Sequence, residues 1–285
     1  MAETKPTASV KPATSVQVDK SSNAISLIAP IACLLLGYII WRFGLGSASN
    51  FDKSGGGWFW PEREGPHTAL SKMYLGGIIV PILIGTFLTM VTFVVERFMT
   101  IRKATGTGDN ADFIRKVQYH LANKNVDAAI AECDKQKGSV GNVMKAGLHR
   151  YRAMISNTEL TTDQKVMAIQ KEVEEATSLE LPMLEKNLVF LSTIASIATL
   201  MGLLGTVLGM IRSFSALGED SGGGAAASKL SVGISEALYN TALGIGTSAF
   251  AIVFYNMFTT RIDNITYGID ESGFTLTQSF ASLYK

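Results

Sequence analysis

Charge is scarce in this chain. Asp, Glu, Lys and Arg make up 17% of its 285 residues against 47% hydrophobic ones, and the mean hydropathy is +0.24. That is too apolar for an ordinary soluble enzyme. The net charge of +1 supplies no basic face able to neutralise a phosphate backbone, which argues against a nucleic-acid partner. Of the two cysteines, Cys33 lies in an apolar segment and Cys133 in a charged one; they offer no disulfide framework and read as packing residues. His67, His120 and His149 show no ligand spacing, so no metal site is expected. The glycine-rich stretch Gly218 to Gly224 is not followed by Gly-Lys-Ser/Thr, and neither Gly-x-Ser-x-Gly nor His-Glu-x-x-His occurs. A phosphate loop, a hydrolase and a metalloprotease are left without residues, and neither an enzyme activity nor a cofactor is expected.

What the chain has instead is long apolar runs. Residues 1–23 are rich in Thr, Ser, Pro, Lys and Ala and read as a disordered tail. Residues 24–43 form an apolar helix that either spans a bilayer or is a cleaved signal segment, since lysines precede it and the small residues Gly46, Ser47 and Ala48 follow. Residues 44–72 read as a periplasmic loop whose Trp58, Phe59 and Trp60 suit a membrane–water boundary. A transmembrane helix is expected over 73–96, ending at Glu96 and Arg97, with Arg102 and Lys103 close behind to mark the cytoplasmic side. Residues 97–187 are charged and helical in pattern, broken near Gly106 to Gly108 and Gly138 to Gly141, and read as two or three helices in a cytoplasmic domain. Two further transmembrane helices, 188–217 and 231–260, flank a periplasmic turn over 218–230, and 261–285 is a cytoplasmic tail. Pro182 is expected to kink, not end, a helix running on into the span at Leu188. The fold class is therefore all-α: a polytopic membrane protein in contact with lipid, with long helices projecting into a helical cytoplasmic domain.

The last two spans carry polar groups where lipid makes them costly. Thr206 lies 19 residues after Asn187 and Thr241 lies 19 before Thr260, so at about 1.5 Å per residue the two hydroxyls reach nearly the same depth in antiparallel helices. Ser192, Ser196, Thr199, Thr206 and Ser213 recur at helical spacing on the first span, as do Thr241, Ser248 and Tyr255 on the second. Such stripes can line a water-filled lumen and pass protons. They can equally serve, with Gly205, Gly209, Gly244 and Gly246, to let helices pack closely. Glu236, at the outer end of the last span, either marks a cation entrance or offsets a helix dipole at the interface.

Gly-Leu-Leu-Gly-Thr-Val-Leu-Gly-Met over 202–210 and Glu-Ala-Leu-Tyr-Asn-Thr-Ala-Leu-Gly over 236–244, with Tyr255 and Asn256 closing the last span, resemble the ExbB/TolQ/MotA proton-channel family, closest to its ExbB and TolQ branch. The resemblance covers roughly 71–265. It implies an inner-membrane subunit that assembles as a homo-pentamer around the single transmembrane helices of an ExbD-like partner, and that uses proton motive force to drive a TonB-like protein spanning the periplasm. It places the pore threonines at Thr206 and Thr241 and the pore glutamate at Glu236; Ser192, Ser196, Thr199 and Ser248 are the further polar stripe that their spacing suggests. Two prolines of the family pattern are replaced by Thr199 and Phe250, and the apolar run at 24–41 is an addition. The expected function is an ExbB-like motor subunit energising TonB-dependent transport. A TolQ-like or motility-type motor subunit is the alternative within the family, and a membrane-anchored signalling or scaffold protein the alternative outside it.

Overall fold

The computed structural model describes residues 23–66, 68–219 and 223–284. The expected disordered tail and residues 220–222 of the expected outer turn lie outside them. Among the described residues the chain is all-α apart from one hairpin, and four helical stretches are long and apolar enough to cross a membrane. It is an all-α polytopic membrane protein, and it divides into two units.

One unit holds the apolar helices, from 23 to 102 and from 184 to 263. Helix α1 (Asn23–Ile39) runs on through a π-helical turn, Ile40–Leu45. Strands β1 (Phe51–Gly56) and β2 (Pro61–Pro66) then pair antiparallel, with Phe51 opposite Pro66 and Gly56 opposite Pro61. The sequence pattern had suggested only a loop here, because this glycine-rich stretch lacks the apolar alternation by which a half-buried hairpin announces itself. Helix α2 (Ala69–Leu75) opens on a capping box in which the Thr68 side chain accepts from the Ser71 N–H and the Ser71 hydroxyl accepts from the Thr68 N–H.

The expected span beginning at 73 starts later. Gly77 adopts φ +78°, a conformation available to glycine at little cost; it ends the short α2, and α3 (Ile79–Thr105) begins beyond it. Pro81 sits in the first turn of α3, where its missing N–H forfeits no helical bond. Thr86, Thr89 and Thr92 donate their hydroxyls to the carbonyls four residues earlier, Ile82, Gly85 and Leu88. These hydroxyls are satisfied within their own helix.

Helix α1 lies on α3 at backbone contact. A Cβ on Gly37 would stand 2.6 Å from the Gly85 nitrogen, and one on Gly85 would stand 2.8 Å from the Leu34 Cα. The Thr92 hydroxyl has already given its proton to Leu88, so Cys33 Sγ, 3.5 Å from Thr92 Oγ1, is the donor of that contact. On the other side of α3, Phe93 stacks on Phe190 at 4.5 Å.

At the end of this unit near Asn187, the almost fully buried Arg97 donates to both oxygens of Glu96 and to the Leu184 carbonyl. Asn187 donates to Glu96 and accepts from Ser26. A buried guanidinium is tolerable only when paired in this way. The expectation that a helix would continue past Pro182 into the span is corrected here. Helix α7 (Thr162–Glu185) contains Pro182 but stops at Lys186 and Asn187, with Asn187 at φ +69°, and α8 (Leu188–Glu219) starts afresh. Asparagine tolerates that conformation better than most residues, and its amide is held from both sides by Glu96 and Ser26.

The other unit covers 103–183 and 264–285. It contains α4 (Asn110–Ala122), α5 (Val126–Gln136), α6 (Gly138–Ser156), most of α7 and the end of α9 (Gly223–Leu283). The breaks expected at Gly106 and Gly138 are present, and the two glycines meet: a Cβ on Gly138 would stand 2.7 Å from the Gly106 nitrogen. Breaks at Lys124 (φ +55°) and at 157–161 add helices the pattern did not separate. Phe113, Val117, Leu121, Val143, Leu148 and Tyr151 are buried in this unit, and Tyr151 meets Phe280 edge-on at 4.9 Å. Burial pushes the Cys133 thiol up to about 12, so it stays a thiol at neutral pH.

The Gly37–Gly85 contact makes a prediction about the N-terminal helix. Replacing Thr92 by Cys should give an intramolecular disulfide with Cys33 under mild oxidation, seen as a mobility shift on non-reducing gels, and Gly37→Val in the same chain should abolish it. If the first helix is cleaved, Thr92→Cys will give no shift.

Candidate functional site

Helices α8 and α9 are packed antiparallel along a seam of glycines. A Cβ on Gly202 would stand 3.1 Å from the Gly244 Cα, and one on Gly244 would stand 2.5 Å from the Ala198 carbonyl oxygen. Further along, Gly205 lies against Asn240, Gly209 against Ala237 and Gly233 against Ser213. Small residues at these positions bring the two backbones close enough for side chains of one helix to reach carbonyls of the other. Thr241 Oγ1 donates to the Gly202 carbonyl at 3.1 Å, and Ser248 Oγ to the Ala195 carbonyl at 2.6 Å.

The candidate residues therefore fall into two groups. Thr241 and the buried Ser248 have their hydrogens directed at α8, across the seam. Thr206, Ser192 and Thr199 turn theirs back onto their own helix, to the carbonyls of Leu203, Val189 and Ala195. Ser192, Ser196 and Thr199 stand on the open face of α8, while Thr206 is partly covered. In each case the hydroxyl oxygen retains acceptor capacity after its proton is used. Along the seam Thr241 is level with Gly202, one turn before Thr206 on α8, and Gly205, next to Thr206, is in contact with Asn240, next to Thr241.

Two residues that the sequence reading passed over belong to this site. Asn240 is buried, with Nδ2 donating to the Gly76 carbonyl at 3.2 Å and Oδ1 without a hydrogen-bond partner. It fills a slot between Gly76 and Gly205 and ties the break before α3 to the α8–α9 seam. Arg212 is the second. Its guanidinium lies over Gly77, where a Cβ would come within 2.5 Å of Nη1, and it acts electrostatically on Glu236, which is half-buried on α9. The end of the seam near Gly77 thus carries a carboxylate and a guanidinium from neighbouring helices. A helical pattern could have flagged Arg212, since a basic residue two positions after the apolar Met210 is unusual in a span; the slot that holds Asn240 exists only in three dimensions.

Among the described residues, no three of His, Cys, Asp and Glu come together as a metal site. The seam offers hydroxyls, backbone carbonyls and one pair of opposite charges. Those groups can bind water and pass a proton along hydrogen bonds.

Compared with known proteins, residues 135–271 match the model of the MotA/TolQ/ExbB proton channel family. An ExbB-like biopolymer transport protein of Synechocystis is 42% identical over 86 residues, 30% of this chain and 41% of the relative. The Tol-Pal system protein TolQ of Pseudomonas aeruginosa is 30% identical over 122 residues, 43% of this chain and 52% of the relative. The biopolymer transport protein ExbB of Aquifex aeolicus is 30% identical over 119 residues, 42% of this chain and 71% of the relative. The chain thus spans about half or less of the length of the first two relatives. The family match contains Thr206, Arg212, Glu236, Asn240 and Thr241, and leaves out α1, the hairpin and α3.

The packing of the seam is testable apart from its chemistry. Gly205→Val places a branched side chain where Asn240 now sits; overpacking of this kind costs about 1–3 kcal/mol. The melting temperature of the purified protein should fall clearly, whereas Ser196→Ala, on the open face, should leave it unchanged.

Proposed function

Because the chain belongs to the MotA/TolQ/ExbB proton channel family, we propose that it is an ExbB-like subunit of a proton-motive-force-driven motor in the inner (cytoplasmic) membrane, and that with an ExbD-like partner it energises TonB-dependent transport across the outer membrane. The observation that carries this reading is the glycine-lined seam itself, where Thr241 bonds to the Gly202 carbonyl and Thr206 stands one turn further along α8, with Glu236 and Arg212 beyond them. A hydroxyl relays or solvates a proton but does not release one at useful pH. The titrating carboxylate has to come from a partner helix in the lumen. Glu236 then draws cations to the outer mouth, and the neighbouring Arg212 tempers its charge.

In this reading several copies, five by analogy with the family, surround the partner helices. Their inner wall is made of α8 and α9, with Ser192, Ser196 and Thr199 as the lumen-facing stripe and Ser248 as a strut between the two helices. Helix α3 faces outward and α1 covers it. Residues 97–187 and 261–285 lie on the cytoplasmic side. Exposed apolar side chains outside the spans, Met167 and Leu179 on α7 and Tyr267 and Phe274 on α9, support assembly, since burying them against neighbouring copies is favourable. The likeness to a TolQ protein supports a second reading, in which the motor drives a TolA-like protein in envelope constriction. Copurification from native membranes separates the two: a TonB-like protein in the complex supports the first, and a TolA-like protein the second.

Thr206→Val and Thr241→Val should each abolish growth that depends on the energised outer-membrane process. Thr206→Val should leave the amount of assembled complex unchanged. Thr241→Val also loses the bond to Gly202, so its complex should be somewhat less stable, by about 0.5–1.5 kcal/mol. Normal growth of both variants at normal complex levels would reduce these hydroxyls to packing groups and remove the proton-path assignment.

A further inference from the structure

The hairpin between α1 and α2 folds back along the span that precedes it. Tyr38 donates its hydroxyl to the Phe59 carbonyl at 2.6 Å, and Arg42 Nε donates to the Trp58 carbonyl at 3.2 Å. Trp60 packs on Trp41 at 4.6 Å and Phe59 on Tyr38 at 5.6 Å. The base of the hairpin is fixed as firmly: Tyr74 Oη donates to the Pro61 carbonyl, Trp41 Nε1 to the Tyr74 carbonyl, and Arg63 Nε to the Gly46 carbonyl. Trp41, Leu45, Phe51, Tyr74 and Val80 form a buried cluster beneath it.

The turn itself is bare. Trp58 is 78% and Phe59 68% exposed, at the tip of a rigidly held element. Their depth follows from their partners. The apolar stretch Ser26–Leu45 is 20 residues long, about 30 Å at 1.5 Å per residue, which matches the hydrocarbon thickness of a bilayer. Tyr38 lies seven residues before the end of that stretch, so a tip bonded to Tyr38 and Arg42 sits about 5–10 Å inside it. The face of α1 carrying Leu35, Ile39 and Phe43 is exposed and apolar as well.

We propose that the 57–60 turn is an interfacial anchor, its Trp58 and Phe59 side chains immersed at the boundary between headgroups and acyl chains of the bilayer that α1 crosses. Aromatic rings are most stable in that layer. The polar strand ends stay in water above it, and the Arg42 guanidinium, bonded to the Trp58 carbonyl, stands just beneath the headgroups. The anchor pins the end of α1, and with it the Gly37–Gly85 contact to α3, at a fixed depth. This inference does not depend on proton conduction or on which side of the membrane the hairpin occupies.

The chain has three tryptophans, Trp41, Trp58 and Trp60, all in this cluster, so intrinsic fluorescence reports on it alone. The assembled protein is reconstituted into phosphatidylcholine–phosphatidylglycerol vesicles containing lipids brominated either high or low on the acyl chain. High bromines should quench about twofold more than low ones, as befits an interfacial ring, and Trp58→Ala should remove the larger share of that quenching, because Trp58 is more exposed than Trp60 and Trp41 is buried. Aqueous iodide should quench little. Strong iodide quenching without a bromolipid effect would place the tip in water and overturn the proposal. So would a Trp58 reached by neither quencher until the oligomer is dissociated, because a neighbouring protein would then cover the tip.

Discussion

The close approach of α8 to α9 is what the rest of the membrane unit is built around. Lipid offers no hydrogen bonds to a helix, so every polar group placed in a span must find its partner in the protein or in enclosed water. Gly202, Gly205, Gly209 and Gly244 remove the side chains that would hold the backbones apart, and the carbonyls of Gly202 and Ala195 then take the protons of Thr241 and Ser248. Without that approach both hydroxyls would turn back onto carbonyls of their own helix, as those of Thr199 and Thr206 do, and the bonds that join the two helices would be lost.

The same seam organises what surrounds it. Asn240 is pressed by Gly205 towards the Gly76 carbonyl, so the short non-helical link before α3 is held against the α8–α9 pair. The left-handed Gly77 beside it admits the Arg212 guanidinium, which brings a positive charge into range of Glu236. At the opposite end Glu96, Arg97 and Asn187 close the unit with a fully paired buried charge. Polar clusters at both ends and a hydroxyl-bearing seam between them are an expensive arrangement in lipid, and the proposed proton pathway would give it a use.

Much of this was legible in the sequence where local chemistry decides. The spans followed from apolar length, and the breaks at Gly106 and Gly138 from glycine's tolerance of positive φ. Legibility failed where the deciding contact is distant. Asn187 and Lys124 end helices without glycine; for Asn187 the reason lies in Glu96, 91 residues away, and in Ser26. Periodicity set Ser248 beside Thr241 on one stripe but could not say that its hydroxyl closes a bond to α8. Arg212 was missed because a span boundary read from hydropathy treats polar residues near its ends as edges, and Asn240 because its slot between Gly76 and Gly205 exists only in three dimensions. The hairpin was missed because what stabilises it is the stacking of Trp41, Trp60 and Tyr74, residues spread over three elements.

The central claim is that the α8–α9 seam forms the wall of a proton-carrying lumen. A structure of the assembled complex in a lipid membrane tests it most directly, through the direction in which Thr206 points. The account predicts Thr206, with Ser192, Ser196 and Thr199, facing an enclosed lumen occupied by a partner helix, with α1 and α3 on the lipid side. Thr206 facing lipid, with α8 on the outer rim of the assembly, would contradict it.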